Sequence, residues 1–382
     1  MSNRISLLFL FLMSSLVLHA KTYEELTANF IKGNAEPQSF SVMTFGPEGI
    51  LFIGDAKGHQ VLAVDLEDRD QKEIEEPFNM ADVEGKLAAM LGTDPDGVII
   101  HDMAVNPMSK NIYLAVSRAD ANELGFWRLP NDIADANILI KVTPEGDLSE
   151  VKLDNVKHSK TELSKLIEGG EHRWRKMDKR TEAITDLAYH NGKLYVAVLS
   201  NQEFASALKV VDFPFEGKES HSSVEVWHVA HKKSETQSPI RTLMPYEIDG
   251  KEQLLAAYTC TPFVSIPLKE IQDGKHIKSK TLAEFGSGNM PIDIISYQKE
   301  GKDYILMSNI SKALIRIDPD DIAKQKAVTE PLEEGQYTSG LPHAVLSKVG
   351  ITQIDNYANG VLVLQRMPSG QLNLVTYPER WL

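Results

Sequence analysis

Asn191-Gly192 stands between two apolar runs, "ITDLAYH" and "KLYVAVLSN", and that arrangement constrains the chain more than any other feature. Asn-Gly tolerates the positive φ angles of a two-residue turn, so the segment from 184 to 201 predicts an antiparallel hairpin. The same pattern returns at 40–55, 100–117, 240–260, 291–309 and 351–366, at intervals of roughly 50 to 80 residues. Each time a short apolar strand meets a turn carrying Gly, Asn or Asp. A strand rich in Val, Ile, Leu or Tyr follows, and then a polar residue.

A third strand follows most hairpins: "HQVLAVD", "ILIKVT", "SALKVVDF", "FVSIPL", "KALIRID" and "LNLVTY". A fourth, more polar one reads as "SEVKLD" and "VEVWHVA". Four antiparallel strands per repeat make one propeller blade, and a ring of blades protects the sheet edges that an open stack would expose. The expected fold is therefore all-β, a β-propeller of six four-stranded blades with short helical insertions. Seven blades follow if 153–183 hides a degenerate one. The blades fall near 39–78, 99–155, 183–230, 239–285, 290–335 and 341–380, in one domain over 21–382. The sixth runs out of chain after its third strand, so "ANFIKG" (28–33) is expected to supply its outer strand and close the ring.

Helical spacing is confined to "TYEELTANFIK", "VEGKLAAML", "KTELSKLI" and "PDDIAKQK". The stretch 157–182 is expected to be a helical insertion; it carries eight basic and five acidic residues on a chain of net charge −14. That acidity argues against nucleic acid and anionic membranes. Residues 1–20 read as a secretory signal peptide, with Arg4 before the apolar run Ile5–Leu18 and Ala20 at the cut. A periplasmic or secreted protein, free of membrane after cleavage, is the expectation. With one cysteine, Cys260, it forms no internal disulfide, and a CxxCH haem site is impossible. Phosphate-cradling loops are lacking, so no nucleotide is expected; "EFGSGNMP" reads as a turn between blades. The chain has no GxSxG elbow. Trp127, Trp174, Trp227 and Trp381 are not periodic, which argues against quinone-binding tryptophan repeats.

"GPEGILFIGDAKGHQVLAVD" and "HNGKLYVAVLSN" resemble blades of the secreted β-propeller group that includes the NHL, YVTN and gluconolactonase-like proteins. The resemblance covers most of the chain and implies a location for function. In such rings the loops leading into the innermost strands, and the turns between second and third strands, gather on one face around the central channel. Here that rule selects His101, Asp102, Thr185, Asp186, Arg241, Thr242, Asp293 and Gln353 from the first group. The second group gives Asp55, His59, Arg118, Asn201, Cys260 and Asn309, and His343 precedes the last blade.

Asp102, Asp186 and Asp293 hold the same position in their repeats, so a ring aims them at one axis, where they repel unless a cation, arginine or proton intervenes. Three arrangements follow. A Ca²⁺ shell would use these aspartates with Asn201 or Asn309. A transition metal would use His101 and His343 with His59 or His172. Alternatively the aspartates bond backbone amides at blade junctions while Arg241 neutralises one of them. No histidine stands in an HExxH or similar close pair, so no local metal motif is expected.

Three functions are compatible with this face. One is binding of a small-molecule or protein ligand, with Asp55, His59, Arg118, Thr185, Asn201, Cys260 and Gln353 lining the site. Another is a metal-dependent, gluconolactonase-like hydrolase, with His101 or His343 moving the proton beside Arg241; "FSVMTF", which lacks the glutamate that family places there, departs from it. The third is a scaffold or partner of a periplasmic redox system.

Overall fold

The computed structural model describes residues 21–118, 137–172, 175–259 and 262–382. Each predicted hairpin forms. The turns Asn191-Gly192, Asp249-Gly250 and Glu300-Gly301 have φ of 48° and 77°, 50° and 69°, and 51° and 76°, the paired left-handed conformations that match the twist of two adjoining strands. The third-strand segments pair as expected, and six blade sheets result, antiparallel except where His276–Lys278 joins Ser223–Glu225 in parallel; Glu171–His172 and Arg175–Asp178 form a separate two-stranded ribbon.

Numbered by the chain order of their innermost strands, the blades begin at Val42–Phe45 (I), Val98–Val105 (II), Ile184–His190 (III), Ile240–Ile248 (IV), Pro291–Lys299 (V) and Ile351–Tyr357 (VI). Six buried apolar clusters fill the gaps between them. Leu51, Leu62, Tyr113 and Leu139 join I to II. Phe52, Val61, Leu187 and Val196 join I to III. Further clusters join III to IV, IV to V and V to VI. Leu114 and Ile140 against Leu362 and Leu374 join II to VI. Six blades with six filled junctions form a closed ring.

The protein is a six-bladed β-propeller.

Its order around the ring differs from its order along the chain. Blade II lies between VI and I, giving the circle II, I, III, IV, V, VI. After the third strand of blade I (Gln60–Asp65) the chain moves backwards. Asn79–Met80 pairs with Leu374 and Val375 and becomes the outer strand of blade VI. The helix Val83–Leu91 packs at the same junction, then blade II is built. Only afterwards does Val156–Glu162 return to pair with Gln60–Asp65 as the fourth strand of blade I. Ile31–Gly33 adds a fifth strand outside it.

Two expectations are corrected by this path. The segment 28–33 does not close blade VI; it edges blade I, and residues 79–80 perform the closure. The stretch 157–182 is not a helical insertion, because Val156–Glu162 is a strand and "KTELSKLI" contains no helix. Pairing explains this: residues 157–162 add to the free edge of Gln60–Asp65, burying His158, Ser159 and Thr161, and the helix-forming composition conceals that strand. The helices Tyr23–Leu26, Val83–Leu91 and Pro319–Lys324 do form where expected. Among the described residues no helix is long and apolar enough to cross a membrane.

Candidate functional site

The innermost strand of a blade pairs on one side only, so its other edge faces the channel with unsatisfied N–H groups. Those edges meet an internal solution here. Five of the six innermost strands carry a register shift near their start, at Ile100/Asp102, Ile184/Asp186, Ile240/Thr242, Pro291/Ile294 and Ile351/Ile354. Bulges of this kind re-aim side chains. Asp102 accepts N–H bonds from Met103 at 2.8 Å and, across the junction, from Met43 at 2.6 Å. Asp186 accepts from Leu187 at 2.8 Å and Leu243 at 2.6 Å. Asp293 accepts from Ile294 at 2.8 Å and Ile354 at 2.9 Å.

The six amides are equivalent, one per blade, and three carboxylates satisfy all of them. The clasps occupy alternate junctions: II to I, III to IV and V to VI. One level along, Asp355 bridges Asn356 and Val105, both at 2.7 Å, and closes VI to II.

The same placement shifts their protonation. Burial pushes Asp102 up to about 7, opposed by the Met43 amide and reinforced by the charge of Asp186. Burial and then Asp293 push Asp186 up to about 7. Asp293 is held well above the carboxylate range by burial and by Asp102, and burial raises Asp355 to about 6. All four are part open to the channel.

Direct binding of one cation by the three does not fit this arrangement. Oxygens around a single Ca²⁺, at 2.3–2.6 Å from it, lie within about 5 Å of one another. Among the described residues only His228, His231 and Glu235 bring three ligand atoms within 4.8 Å.

The channel is a cavity of about 850 Å³ lined from all six blades, with Asp102, Asp186, Asp293 and Asp355 in its wall. His101, Arg241, Thr185 and Gln353 reach it, with Lys57, Ser117 and Asn137. His101 Nε2 is 2.7 Å from the Ser117 hydroxyl, which donates to Asn137 Oδ1 at 3.1 Å. Burial, then the charge of Lys57, lowers the imidazole to about 4, so it is neutral at physiological pH. Gln353 donates to the His101 carbonyl at 3.3 Å, and the Thr185 hydroxyl donates to the Ile240 carbonyl at 2.5 Å.

Other expected site residues are not brought to the cavity. Asp55 is fully buried, and its carboxylate accepts from Gln38 N, Ser39 Oγ, Gly58 N and Gln60 Nε2 at 2.8–2.9 Å, which fixes its own turn. His59 occupies a left-handed turn position, φ 52°, beside it. Arg118 donates to the Leu91 carbonyl at 3.2 Å. Asn201 is exposed, with its N–H on the Lys165 carbonyl at 3.0 Å. Asn309 is buried, and its side-chain oxygen accepts from Met290, Ser311 and Lys312 amides at 3.1–3.2 Å, leaving it committed to a loop. His343 packs edge-on to Phe285, 4.8 Å away, away from the axis. Cys260 lies outside the described residues, as do Trp127, Trp174 and the signal segment; nothing is described of the His172 side chain.

Sequence reasoning also missed a group. His228 and His231, three apart, meet Glu235 at the end of blade III, contrary to the expectation of no close histidine pair. The signal was H-x-x-H-x-x-x-E in "HVAHKKSE".

No protein-family model matches the chain, and no curated protein does. Among solved structures it is similar to the major Malassezia sympodialis allergen Mala s 1, with 8% identity, 91% of this chain and 95% of that one covered, and a TM-score of 0.38. Virginiamycin B lyase from Staphylococcus aureus gives 10% identity, 91% and 98% coverage, and 0.35. BamB from Moraxella catarrhalis gives 11%, 88% and 85%, and 0.31. Likenesses this remote say nothing of what this chain binds.

Proposed function

We propose that this protein is an exported binding propeller that takes a small hydrogen-bonding ligand at the channel mouth formed by His101, Arg241, Thr185 and Gln353. The observation that supports it is the convergence of these side chains, from blades II, III, IV and VI, on one cavity of about 850 Å³. Cavities of roughly 300–1,000 Å³ with a few convergent polar groups suit small molecules. The neutral imidazole of His101 offers one ring nitrogen beyond the Ser117 contact for a ligand hydroxyl or carbonyl. The aspartates in the cavity wall hold the blades together. Hydrolysis through a metal held by Asp102, Asp186 and Asp293 is disfavoured, because their oxygens are engaged by amides and too far apart for one ion.

The test is thermal unfolding against a panel of sugars, polyols and hydroxy acids. A true ligand at a hundredfold excess over its Kd stabilises by about 3 kcal/mol. The stabilisation should vanish in both His101→Ala and Arg241→Ala. A ligand that stabilises both variants like the wild type refutes the site, and no response to any compound refutes the class. Export is checked by sequencing the mature N-terminus, expected at Lys21.

A further inference from the structure

The outer strand of blade III, Glu219–His228, turns through residues 229–232 into the short strand Lys233–Glu235. The register pairs His228 with Lys233 and Val226 with Glu235, which puts His228 and Glu235 on one face of the hairpin. The turn brings His231 back over that face. The two imidazoles lie 3.7 Å apart between centroids. Both direct Nδ1 at one carboxylate: His228 to Oε2 at 2.9 Å and His231 to Oε1 at 2.7 Å.

A second carboxylate lies beneath. Glu284, on the fourth strand of blade IV, is fully buried, and its Oε1 has no hydrogen-bond partner among the described residues. Its Oε2 accepts from the amide of Ala230, between the two histidines, at 3.4 Å. Burial pushes Glu284 up to about 7, so it is part-protonated until a positive charge beside it favours the carboxylate.

We propose that His228, His231 and Glu235 bind a divalent first-row transition ion, with Glu284 as its buried counter-charge. Two imidazole nitrogens and one carboxylate suit zinc, and two neutral histidines with two carboxylates balance a 2+ ion. The three ligand atoms already lie within 4.8 Å of one another, so side-chain rotations suffice to close around the ion. Lys233, 3.3 Å from Glu235 and 63% exposed, swings out on binding. His231 is 46% exposed and leaves the fourth position to solvent. The ion pins the hairpin of blade III onto blade IV at the rim, in a chain that cannot use an internal disulfide. This site is independent of the channel.

Metal-free full-length protein titrated with Co²⁺ tests the proposal. The expected result is one ion per chain with visible d–d absorption, displaced by one equivalent of Zn²⁺, and a melting temperature raised by Zn²⁺. His231→Ala, half-exposed and so expected to fold, should lose stoichiometric binding with its circular dichroism unchanged. Glu284→Gln should weaken binding about tenfold or more, as second-sphere changes do. Asp102→Asn, at the junction of blades II and I, should bind like the wild type. Absent or substoichiometric d–d absorption in the wild type, equal uptake by His231→Ala, or loss in Asp102→Asn overturns it.

Discussion

Replacing Asp186 by Asn probes the alternating clasps directly. The carboxylate joins blades III and IV through Leu187 and Leu243. An amide of the same shape keeps one acceptor but turns a donor toward the other N–H, and it removes one charge from the axis. Because burial and Asp293 hold Asp186 up at about 7 against an ordinary 3.8, the folded protein binds this proton more tightly than the unfolded chain. The sign follows: the contribution of Asp186 to stability is fullest below about pH 4 and is lost as pH rises to about 7, beyond which it is constant. A shift of that size corresponds to about 4 kcal/mol at most. Since the channel opens part of the carboxylate to solvent, about 2 kcal/mol is the working figure.

Asp186→Asn removes that share and also relieves Asp102, whose own rise owes a part to Asp186. Urea unfolding from pH 4.5 to 8 should show the wild type weakening with pH and the variant weakening by about 2 kcal/mol less. An unchanged pH slope in the variant would refute the reasoning, as would a wild type whose stability climbs steadily from pH 5 to 8.

The remaining predictions concern the scaffold. Lys209, wholly buried, pairs with Glu219 at 2.6 Å, so Glu219→Gln strands its ammonium and should cost about 3 kcal/mol in urea unfolding. Phe78 stands edge-on to Tyr357, 6.0 Å away, beside the two-residue outer strand of blade VI. Phe78→Ala should lose about 3 kcal/mol, with faster protease cleavage between residues 66 and 97, since the ring anchors that strand in the apolar cluster between blades VI and II.

Hairpins were legible because a tight turn demands particular residues. Asn191-Gly192 and Asp249-Gly250 announce their own geometry, and the aspartates' shared position announces a common axis. Blade order was not legible, because apolar alternation records that a face is buried and not which blade covers it: Leu51 and Phe52 are adjacent, yet one packs on blade II and the other on blade III. The outer strands of blades I and VI are taken from elsewhere in the chain, so "VKHSKTE" carried no edge signal. The neutral His101 and the cavity lining were visible as residue types at predicted positions. Asn309 and Asp55 were equally well placed by pattern but turn inward to satisfy loop amides, a choice decided by neighbouring N–H groups that the sequence does not order.

The backward step from blade I to blade II has a consequence for biosynthesis. Met80 finds Leu374 only after nearly three hundred further residues have been made, and blade I waits for residues 156–162 before its fourth position is occupied. A ribosome-bound chain therefore carries the unpaired strand Asn79–Met80 through most of its translation, with its hydrogen-bonding edge available to other chains. Any shortening of the protein before Leu372 leaves Asn79–Met80 without a partner and strips the junction between blades VI and II of Leu372 and Leu374, so the ring is closed only when that strand arrives.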